Sequence, residues 1–356
     1  MTKGRKTDMF EFKNPNRIFL YTGLFLGILY TFIFPPFQVS DEALHFCKAY
    51  ALSEGDLFPR NSPSKAQYYV FNRPVSLDEV INFGEFFRVT GGPTVRVPVT
   101  DIWEGLKIPL NPEKRADVES SNVAVYSPVG YIAPTAVLLV GRLLHLPPLI
   151  LMYLGRLAAG GLWLAMIYAS LRLVPRLAGI FGLLALFPAC MSIGWGITPD
   201  SCLVGASFLL TAAFIRCAHG AEERLGRQHL LPLFLLCALV GCIKPGYVFL
   251  YLLFWLIPPA KLGGGRRALL LFGALTLIVF LPILFWSALN TILQTFFTHG
   301  IGRLQGHVDE MNPSGQLYFA LTHPFNFLRT FLRSFVRCAL GDPNVWTFGL
   351  GGLSPA

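Results

Sequence analysis

The feature that most constrains this chain is a series of apolar runs of roughly 14 to 24 residues, separated by short polar connections. Because backbone amides find no water in lipid, only helices and closed barrels cross a bilayer, and these runs lack the alternation of barrel strands. Charged residues make up 14% of the chain, against about 25% in a typical soluble domain. We therefore predict an all-α polytopic membrane protein.

The basic residues of the connections predict the orientation of the helices, because short cytoplasmic loops are enriched in Lys and Arg. A basic cluster at residues 3–17 precedes the first run, which is typical of a signal anchor with a cytoplasmic N-terminus. A cleaved signal peptide is the alternative, but no small-residue cleavage site precedes Gln38. If residues 131–146 form an interfacial helix on the outer surface, every short basic loop lies on the cytoplasmic side of the membrane. About seven spans follow from this rule: residues 18–36, 149–171, 177–196, 201–217, 229–243, 246–259 and 267–288.

These spans divide the chain into four parts. The connection after the first span is too long for a simple loop, and such long loops commonly carry function. The parts are a cytoplasmic basic N-terminus with the first span (1–36), a long extracytoplasmic loop ending in an interfacial helix (37–148), six further spans (149–288), and an extracytoplasmic segment with a basic amphipathic helix (289–356).

A short polar stretch, residues 37–49, directly follows the first apolar run and contains Asp41, Glu42 and His45. An ionisable cluster at a bilayer surface is costly unless it serves a function, and it can meet both lipid-linked and water-soluble reactants. The alternative is structural, in which Asp41 caps a helix that begins near Glu42.

The predicted topology places the other unusual polar residues on the same outer face. Asp200 precedes the fourth span, Lys244 lies between two short spans, and Arg329, Arg333 and Arg337 recur every four residues on one face of a helix. Carboxylates beside cations at a membrane surface suit a reaction in which a base deprotonates a hydroxyl while positive charge holds a phosphate leaving group.

The opening of this polar stretch resembles a family of bacterial membrane proteins called domain of unknown function 2142. The similarity rests on the sequence Pro35-Pro36-Phe-Gln-Val-Ser-Asp41-Glu42-Ala-Leu-His45, on Tyr126-Ser-Pro128-Val-Gly-Tyr131 with Pro134, on Arg156, on Thr198-Pro199-Asp200-Ser201 and on Lys244-Pro245-Gly246-Tyr247. That family in turn resembles the C-type glycosyltransferases (GT-C), integral membrane enzymes that use polyprenyl-phosphate-linked sugars. For this chain the resemblance implies a location in the bacterial cytoplasmic membrane. Family members usually continue with further spans after the point where this sequence stops.

The resemblance implies an inverting glycosyl transfer to a glycan, lipid or protein acceptor on the extracytoplasmic face. One general base can suffice, because a polyprenyl phosphate leaves as a weakly basic anion. By this analogy Asp41 is the base, and Glu42 or His45 orients the acceptor, or Asp41 and Glu42 hold a divalent cation such as Mg²⁺ or Mn²⁺. Lys244 and Arg156 neutralise the donor phosphate. The remaining candidate binding residues are Asp200, Tyr126, Tyr131, Arg329, Arg333 and Arg337.

Several of these residues also have structural interpretations. Lys244 could be a solvated turn residue, and Arg156 could extend to the lipid headgroups. Asp200 is expected to cap the fourth span. The two tyrosines fit an interfacial aromatic belt. The arginine stripe most simply binds the headgroups of membrane lipids.

Two other classes of function compete with the enzyme. A transporter or lipid-linked saccharide flippase would show repeated halves and ionisable groups at the bilayer midplane, and a non-catalytic cell-envelope assembly protein would use the long loop to bind a partner. No internal repeat is evident. The net charge of +9 is explained by the basic loops and requires no nucleic-acid partner. The 7 cysteines form no CxxC pair, and a bridge between Cys47 and Cys338 is not favoured.

Overall fold

A computed structural model describes residues 15–39, 41–58, 60–61, 69–81, 98–119, 123, 126–297 and 313–340. The described part of the chain is mostly helical with little strand, and several of its helices are apolar and long enough to cross a membrane. The predicted all-α polytopic class is confirmed. Most of the N-terminal basic cluster and part of the C-terminal segment lie outside the described residues.

The described helices are connected mainly by short turns. The α-helices are α1 Pro15–Ile33, α2 Glu42–Ser53, α3 Val99–Gly105, α4 Ile132–Leu143, α5 Pro148–Leu173, α6 Ala178–Ala185, α7 Pro188–Gly194, α8 Pro199–His219, α9 Arg227–Ile243, α10 Gly265–Phe297, α11 Pro313–Thr322 and α12 Pro324–Leu340. Residues 75–81 are also helical. The 3₁₀ helices are Pro128–Tyr131, Pro175–Leu177, Pro245–Leu256 and Pro259–Leu262.

Within the described chain, 4 helices are long and apolar enough to cross a membrane, or up to 5 if one bent pair counts as a span. Helices α1, α5, α8 and α10 match the first, second, fourth and seventh predicted spans. The third predicted span is the pair α6 and α7, which is bent by 81°. Pro188 begins α7, and a proline disfavours a helical conformation in the residue before it, so the break falls there.

The fifth and sixth predicted spans, residues 229–243 and 246–259, are short in the sequence, and they are also short in the structure. They are α9, with 17 residues, and the 3₁₀ helix Pro245–Leu256, with 12. A 3₁₀ helix rises about 2.0 Å per residue, more than an α-helix, so this short segment still extends roughly 24 Å. Both are shorter than the helices that are long enough to cross a membrane, so their place among the predicted seven spans stays a prediction.

Helices α5 and α8 pack side by side and run in the same direction. The Ser201 hydroxyl near the start of α8 donates to the Ala159 carbonyl at 3.3 Å. Four residues further on, a Cβ on Gly205 would lie 2.6 Å from the Met166 side chain. Since two parallel neighbours need a return crossing between them, the bent pair α6 and α7 carries the chain back along the bundle.

The next two segments run the height of α8 in opposite directions. Lys244, at the end of α9, contacts Asp200 at the start of α8. Lys261, after the long 3₁₀ helix, donates to the carbonyls of Gly220 at 2.7 Å and Cys217 at 3.4 Å at the end of α8. We call these the Asp200 end and the Lys261 end of the bundle. They are separated by roughly 26 Å, at about 1.5 Å per helical residue.

One of three apolar core clusters among the described residues contains two tryptophans and lies where α1, α5 and α7 meet. Trp163 and Trp195 are almost completely buried. Gly27 of α1 and Gly160 of α5 lie against the Trp195 ring, and a Cβ at these positions would come within 1.8 and 2.3 Å of it. Such close approach requires glycine. This packing fixes α1 against the bundle up to the turn that carries the polar stretch.

Helix α4 has 12 residues, too few to cross a bilayer. It packs along the first turns of α5, where a Cβ on Gly141 would lie 2.4 Å from Leu151 and one on Gly155 would lie 3.1 Å from Leu138. This short apolar helix has the size expected of the predicted interfacial helix, whose position in a membrane stays a prediction.

A small antiparallel sheet in the long loop was not predicted. Its strands are β1 Arg60–Asn61, β2 Tyr69–Pro74 and β3 Arg115–Glu119, in the order β1-β2-β3, with Val70 opposite Glu119 and Pro74 opposite Arg115. Arg115 joins the sheet to the end of α2 through two bonds to the Glu54 carboxylate, of 3.0 and 2.6 Å. The sheet therefore helps to hold α2, the helix that carries the polar cluster.

Candidate functional site

The turn between α1 and α2 presents Asp41 to solvent. Asp41 precedes α2 in a left-handed conformation, with φ of 57°, which Asp tolerates better than most residues. Its side chain is exposed and makes no capping hydrogen bond to α2. Among the described residues, no donor pairs with this carboxylate. The structural alternative for Asp41, a helix cap, is therefore not realised.

Glu42 points the opposite way and forms a fully buried ion pair with Arg156 of α5. Arg156 Nε donates to Oε1 at 2.8 Å and Nη2 donates to Oε2 at 2.5 Å, and the two side chains are 0% and 1% exposed. The amide of Ile197 donates to the same Oε1 at 3.2 Å. The pair thus joins α2, α5 and the loop before α8.

The other donors of Arg156 bind the end of α1. Nη1 donates to the carbonyls of Thr31 at 3.0 Å and Phe34 at 2.8 Å, and Nη2 donates to that of Pro35 at 3.0 Å. A guanidinium has five N–H donors, and all are used here. Arg156 therefore has no donor left for a phosphate. The predicted phosphate-binding role of Arg156 does not fit this geometry, and neither does the extension to the headgroups.

His45 lies one turn into α2, buried against two tyrosines. Its Nδ1 is 2.7 Å from the Tyr131 hydroxyl, and its ring centroid lies 5.8 Å from those of both Tyr126 and Tyr131. Burial lowers the pKa of His45 to about 4, although Asp200 and Asp41 oppose this shift. Burial also raises the pKa of Tyr131 well above its ordinary value. At neutral pH both groups are uncharged, and they bind each other by one hydrogen bond.

Asp200 pairs with Lys244. Lys244 Nζ donates to Oδ1 at 2.7 Å and to Oδ2 at 2.9 Å, and both side chains remain about one-third exposed, at 29% for Lys244 and 33% for Asp200. The ammonium also lies 5.8 Å from the centre of the Tyr126 ring. Thr198, not Asp200, caps α8, since its hydroxyl accepts from the Ser201 amide at 3.3 Å. The predicted capping role of Asp200 was wrong.

Asp41, His45 and Asp200 line one cavity of about 220 Å³ at the Asp200 end. The cavity lies between the turn after α1, the start of α2, α7 and the start of α8. Its other lining residues are Phe34, Gln38, Val39, Ala189, Ser192, Ile193 and Thr198. It is smaller than the roughly 300 to 1,000 Å³ of most ligand pockets, so it suits one reacting group of a larger substrate.

The residues do not fit the predicted divalent cation. Asp41 and Glu42 are adjacent in sequence, but one faces solvent and the other is engaged by Arg156. In the part of the chain that the structure describes, no group of three His, Cys, Asp or Glu side chains could hold a metal ion. Cys47 is buried and free.

The arginine stripe is not brought to this cavity. Arg329 and Arg333 are exposed on α12, which packs against α11, and within the described residues neither forms a bond with a cavity side chain. The side chain of Arg337 lies outside the described residues. On the same helix the apolar side chains are also exposed, at 86% for Phe325 and 57% for Phe331. The lipid-binding role of this helix stays a prediction.

Sequence reasoning missed the polar cavity residues Gln38, Ser192 and Thr198. Gln38 lies in the polar stretch 37–49 and Thr198 in the motif Thr198-Pro199-Asp200-Ser201, but neither was named as a site residue. Ser192 comes from α7, which the sequence suggested to be part of an uninterrupted span. Nothing in a single apolar run indicates which of its polar residues will face a cavity.

The comparisons with known proteins identify a family but no relative of known activity. A family model described as "Predicted membrane protein (DUF2142)" matches residues 24–356. No curated protein and no solved structure matches the chain significantly.

Proposed function

The chain belongs to the DUF2142 family of predicted membrane proteins, and we propose that it is an integral membrane glycosyltransferase of the GT-C type. In this proposal it moves a sugar, with inversion, from a polyprenyl-phosphate donor to a glycan, lipid or protein acceptor on the extracytoplasmic face of the bacterial cytoplasmic membrane. The observation that carries the proposal is Asp41, an exposed carboxylate without a donor among the described residues, at a cavity shared with His45.

Asp41 is the proposed general base. As the acceptor oxygen attacks the anomeric carbon, the hydroxyl proton moves to the Asp41 carboxylate. The bond between that carbon and the phosphate oxygen breaks, and its electron pair leaves with the polyprenyl phosphate. A single displacement of this kind inverts the anomeric centre and needs no general acid. A carboxylate that is not already paired is free to accept the proton, which distinguishes Asp41 from Glu42.

His45 is the proposed orienting group. Being neutral, it offers a hydrogen bond without adding charge to the cavity, and its bond to Tyr131 fixes the ring. A hydrogen bond from His45 would hold the acceptor hydroxyl with its proton pointing toward Asp41. Such orientation of the reacting groups is a large part of the catalytic advantage of many enzymes.

Lys244 is the proposed phosphate-binding cation. Arg156 is not part of this proposal, because all its N–H donors bind protein groups. Its ammonium has three N–H donors and gives two contacts to Asp200, so a further donor can serve the donor phosphate. Because the Lys244 side chain is 29% exposed, it can reach a ligand from solvent or headgroups. Asp200 connects the proposed base and the proposed cation, since it contacts Lys244 and lines the cavity together with Asp41.

One observation favours a transporter instead. Helices α6 and α7 form a broken span, and α7 lines the cavity through Ala189, Ser192 and Ile193. Discontinuous helices beside ionisable groups are typical of substrate sites in secondary transporters. A flippase for a lipid-linked saccharide would use the same cavity without breaking the glycosidic bond.

The test is the variant Asp41→Asn in proteoliposomes supplied with polyprenyl-phosphate-linked hexose or pentose and an extract of membrane glycans and lipids. The enzyme is expected to release polyprenyl phosphate and glycosylate the extract, and Asp41→Asn should reduce this at least 100-fold, at the lower end of general-base effects of about 10² to 10⁴. Asp101→Asn, on α3, is the matched control and should retain activity. Donor crossing the bilayer unbroken would identify the transporter, and full activity of Asp41→Asn would disprove the assignment of the base.

A further inference from the structure

The Lys261 end of the bundle has a groove that the proposed function does not use. Two cavities of about 550 Å³ each adjoin there and share Leu173 and Arg216. One lies among the last turns of α5 and α8, and the other descends between α5, α8 and α9. We call them together the Arg216 groove. Each has the size of an ordinary ligand pocket.

The descending cavity is apolar along nearly its whole length. Its walls include Leu209 and Ala213 of α8 and Leu236 and Leu239 of α9. Along α9 it extends from Gln228 to Leu239, a distance of roughly 17 Å at about 1.5 Å per residue. The hydrocarbon core of a bilayer is about 30 Å thick, so the cavity is about as deep as one leaflet. That depth and polarity suit one acyl chain.

The mouth of the groove is basic. Arg176, Arg216 and His219 line the upper cavity, and all three side chains are exposed. One acidic group opposes them, since Glu222 accepts a bond of 2.5 Å from Arg216 Nη2. Arg216 keeps other N–H donors, and Arg176 is in no ion pair among the described residues. Positive charge therefore exceeds negative charge where the apolar channel opens.

We propose that the Arg216 groove binds an anionic phospholipid of the bilayer, with one acyl chain between α8 and α9 and its phosphate between Arg176 and Arg216. Charge complementarity selects an anionic headgroup, and the leaflet-deep channel selects an acyl chain over the much longer polyprenyl chain. The basic mouth of the groove, at Arg216, lies roughly 24 Å along α8 from Asp200, which lines the cavity that contains Asp41. It is thus a second lipid site, independent of the proposed transfer reaction.

The test is native mass spectrometry of the full chain in detergent, titrated with phosphatidylglycerol, phosphatidylcholine or polyprenyl phosphate. The wild type is expected to retain phosphatidylglycerol roughly tenfold better, as two arginines near one anionic headgroup imply. The double variant Arg176→Gln with Arg216→Gln should lose this preference. Arg224→Gln with Arg227→Gln, two exposed arginines that line neither cavity, is the matched control and should keep it.

A second variant tests the channel rather than the charge. Ala213→Trp would fill the apolar cavity and should reduce retention of both lipids. Melting temperatures in lipid-free detergent, equal to that of the wild type, would show that each variant is folded. The proposal is overturned by equal retention of the two lipids, by an unchanged preference in the double arginine variant, or by a stronger preference for polyprenyl phosphate than for phosphatidylglycerol. If Ala213→Trp melts at a lower temperature than the wild type, Leu209→Trp, which fills the same cavity, replaces it in the comparison.

Discussion

Two carboxylate–cation pairs lie at the Asp200 end of the bundle, and they differ in burial and in completeness. Glu42 and Arg156 are 0% and 1% exposed, and every Arg156 donor has a protein partner. Asp200 and Lys244 are 33% and 29% exposed, and Lys244 has donor capacity to spare. The first pair can only hold elements together. The second pair can bind a ligand, because Lys244 is accessible and has a donor to spare. Burial, rather than the presence of charge, separates a structural pair from a candidate site.

Breaking the buried pair should have the largest effect. Arg156→Lys retains the charge but cannot supply five donors in a fixed plane, so Glu42 and three carbonyls would lose partners. Loss of one member of a buried pair typically costs about 3 to 5 kcal/mol. We expect a strong loss of folded protein, measured by thermal unfolding in detergent.

The matched control for Arg156→Lys is Arg172→Lys on the same helix, where the side chain is exposed and which should unfold like the wild type. If Arg156→Lys also unfolds like the wild type, the contrast between the two pairs fails.

Acid should have a smaller effect, through His45, which lines the same cavity as Asp200. Its pKa is about 4 in the folded chain and about 6.5 when unfolded. Well above pH 6.5 His45 is neutral in both states, so the difference in pKa does not affect the free energy of unfolding. As the pH falls toward 4, the unfolded state binds a proton that the folded state excludes, so stability is lost. At pH 5.5 this loss is about 1.4 kcal/mol.

The measurement is the unfolding midpoint at pH 7 and pH 5.5. His45→Gln removes the titrating group and should reduce the difference between the two midpoints, whereas His219→Gln, an exposed histidine, should leave it unchanged. An equal pH dependence in wild type and His45→Gln would contradict the assigned burial of His45.

Breaking the partly exposed pair of Asp200 and Lys244 should have the smallest effect on stability. Lys244→Gln is expected to cost about 0 to 1 kcal/mol, as for other solvent-accessible pairs. If Lys244 binds the donor phosphate, the same variant should raise the KM for the lipid-linked donor while the unfolding midpoint changes little. A large loss of stability with unchanged KM would make this pair structural too, and would remove the distinction drawn above.

Much of the fold follows from local sequence. The length and composition of the apolar runs predicted α1, α5, α8 and α10, because hydropathy is a property of each segment alone. The three-stranded sheet could not be predicted in this way. β2 pairs with β3 across more than forty residues, and neither strand has a strong alternating pattern.

The candidate site was predictable only in part. Asp41 and His45 are four residues apart at the start of one helix, so their shared location follows from the helical repeat. The charge asymmetry of the loops placed Asp200 and Lys244 on the same side as these residues, and the structure joins all of them around one region.

The sequence by itself therefore determined the class of the protein, its long helices and the end of the bundle where its polar residues gather. Only the tertiary structure decided which of two adjacent carboxylates faces the cavity. The left-handed turn at Asp41 exposes one, and Arg156, more than a hundred residues away, captures the other. The physical reason is that hydropathy and periodicity act locally, whereas a buried charge must find its partner in three dimensions.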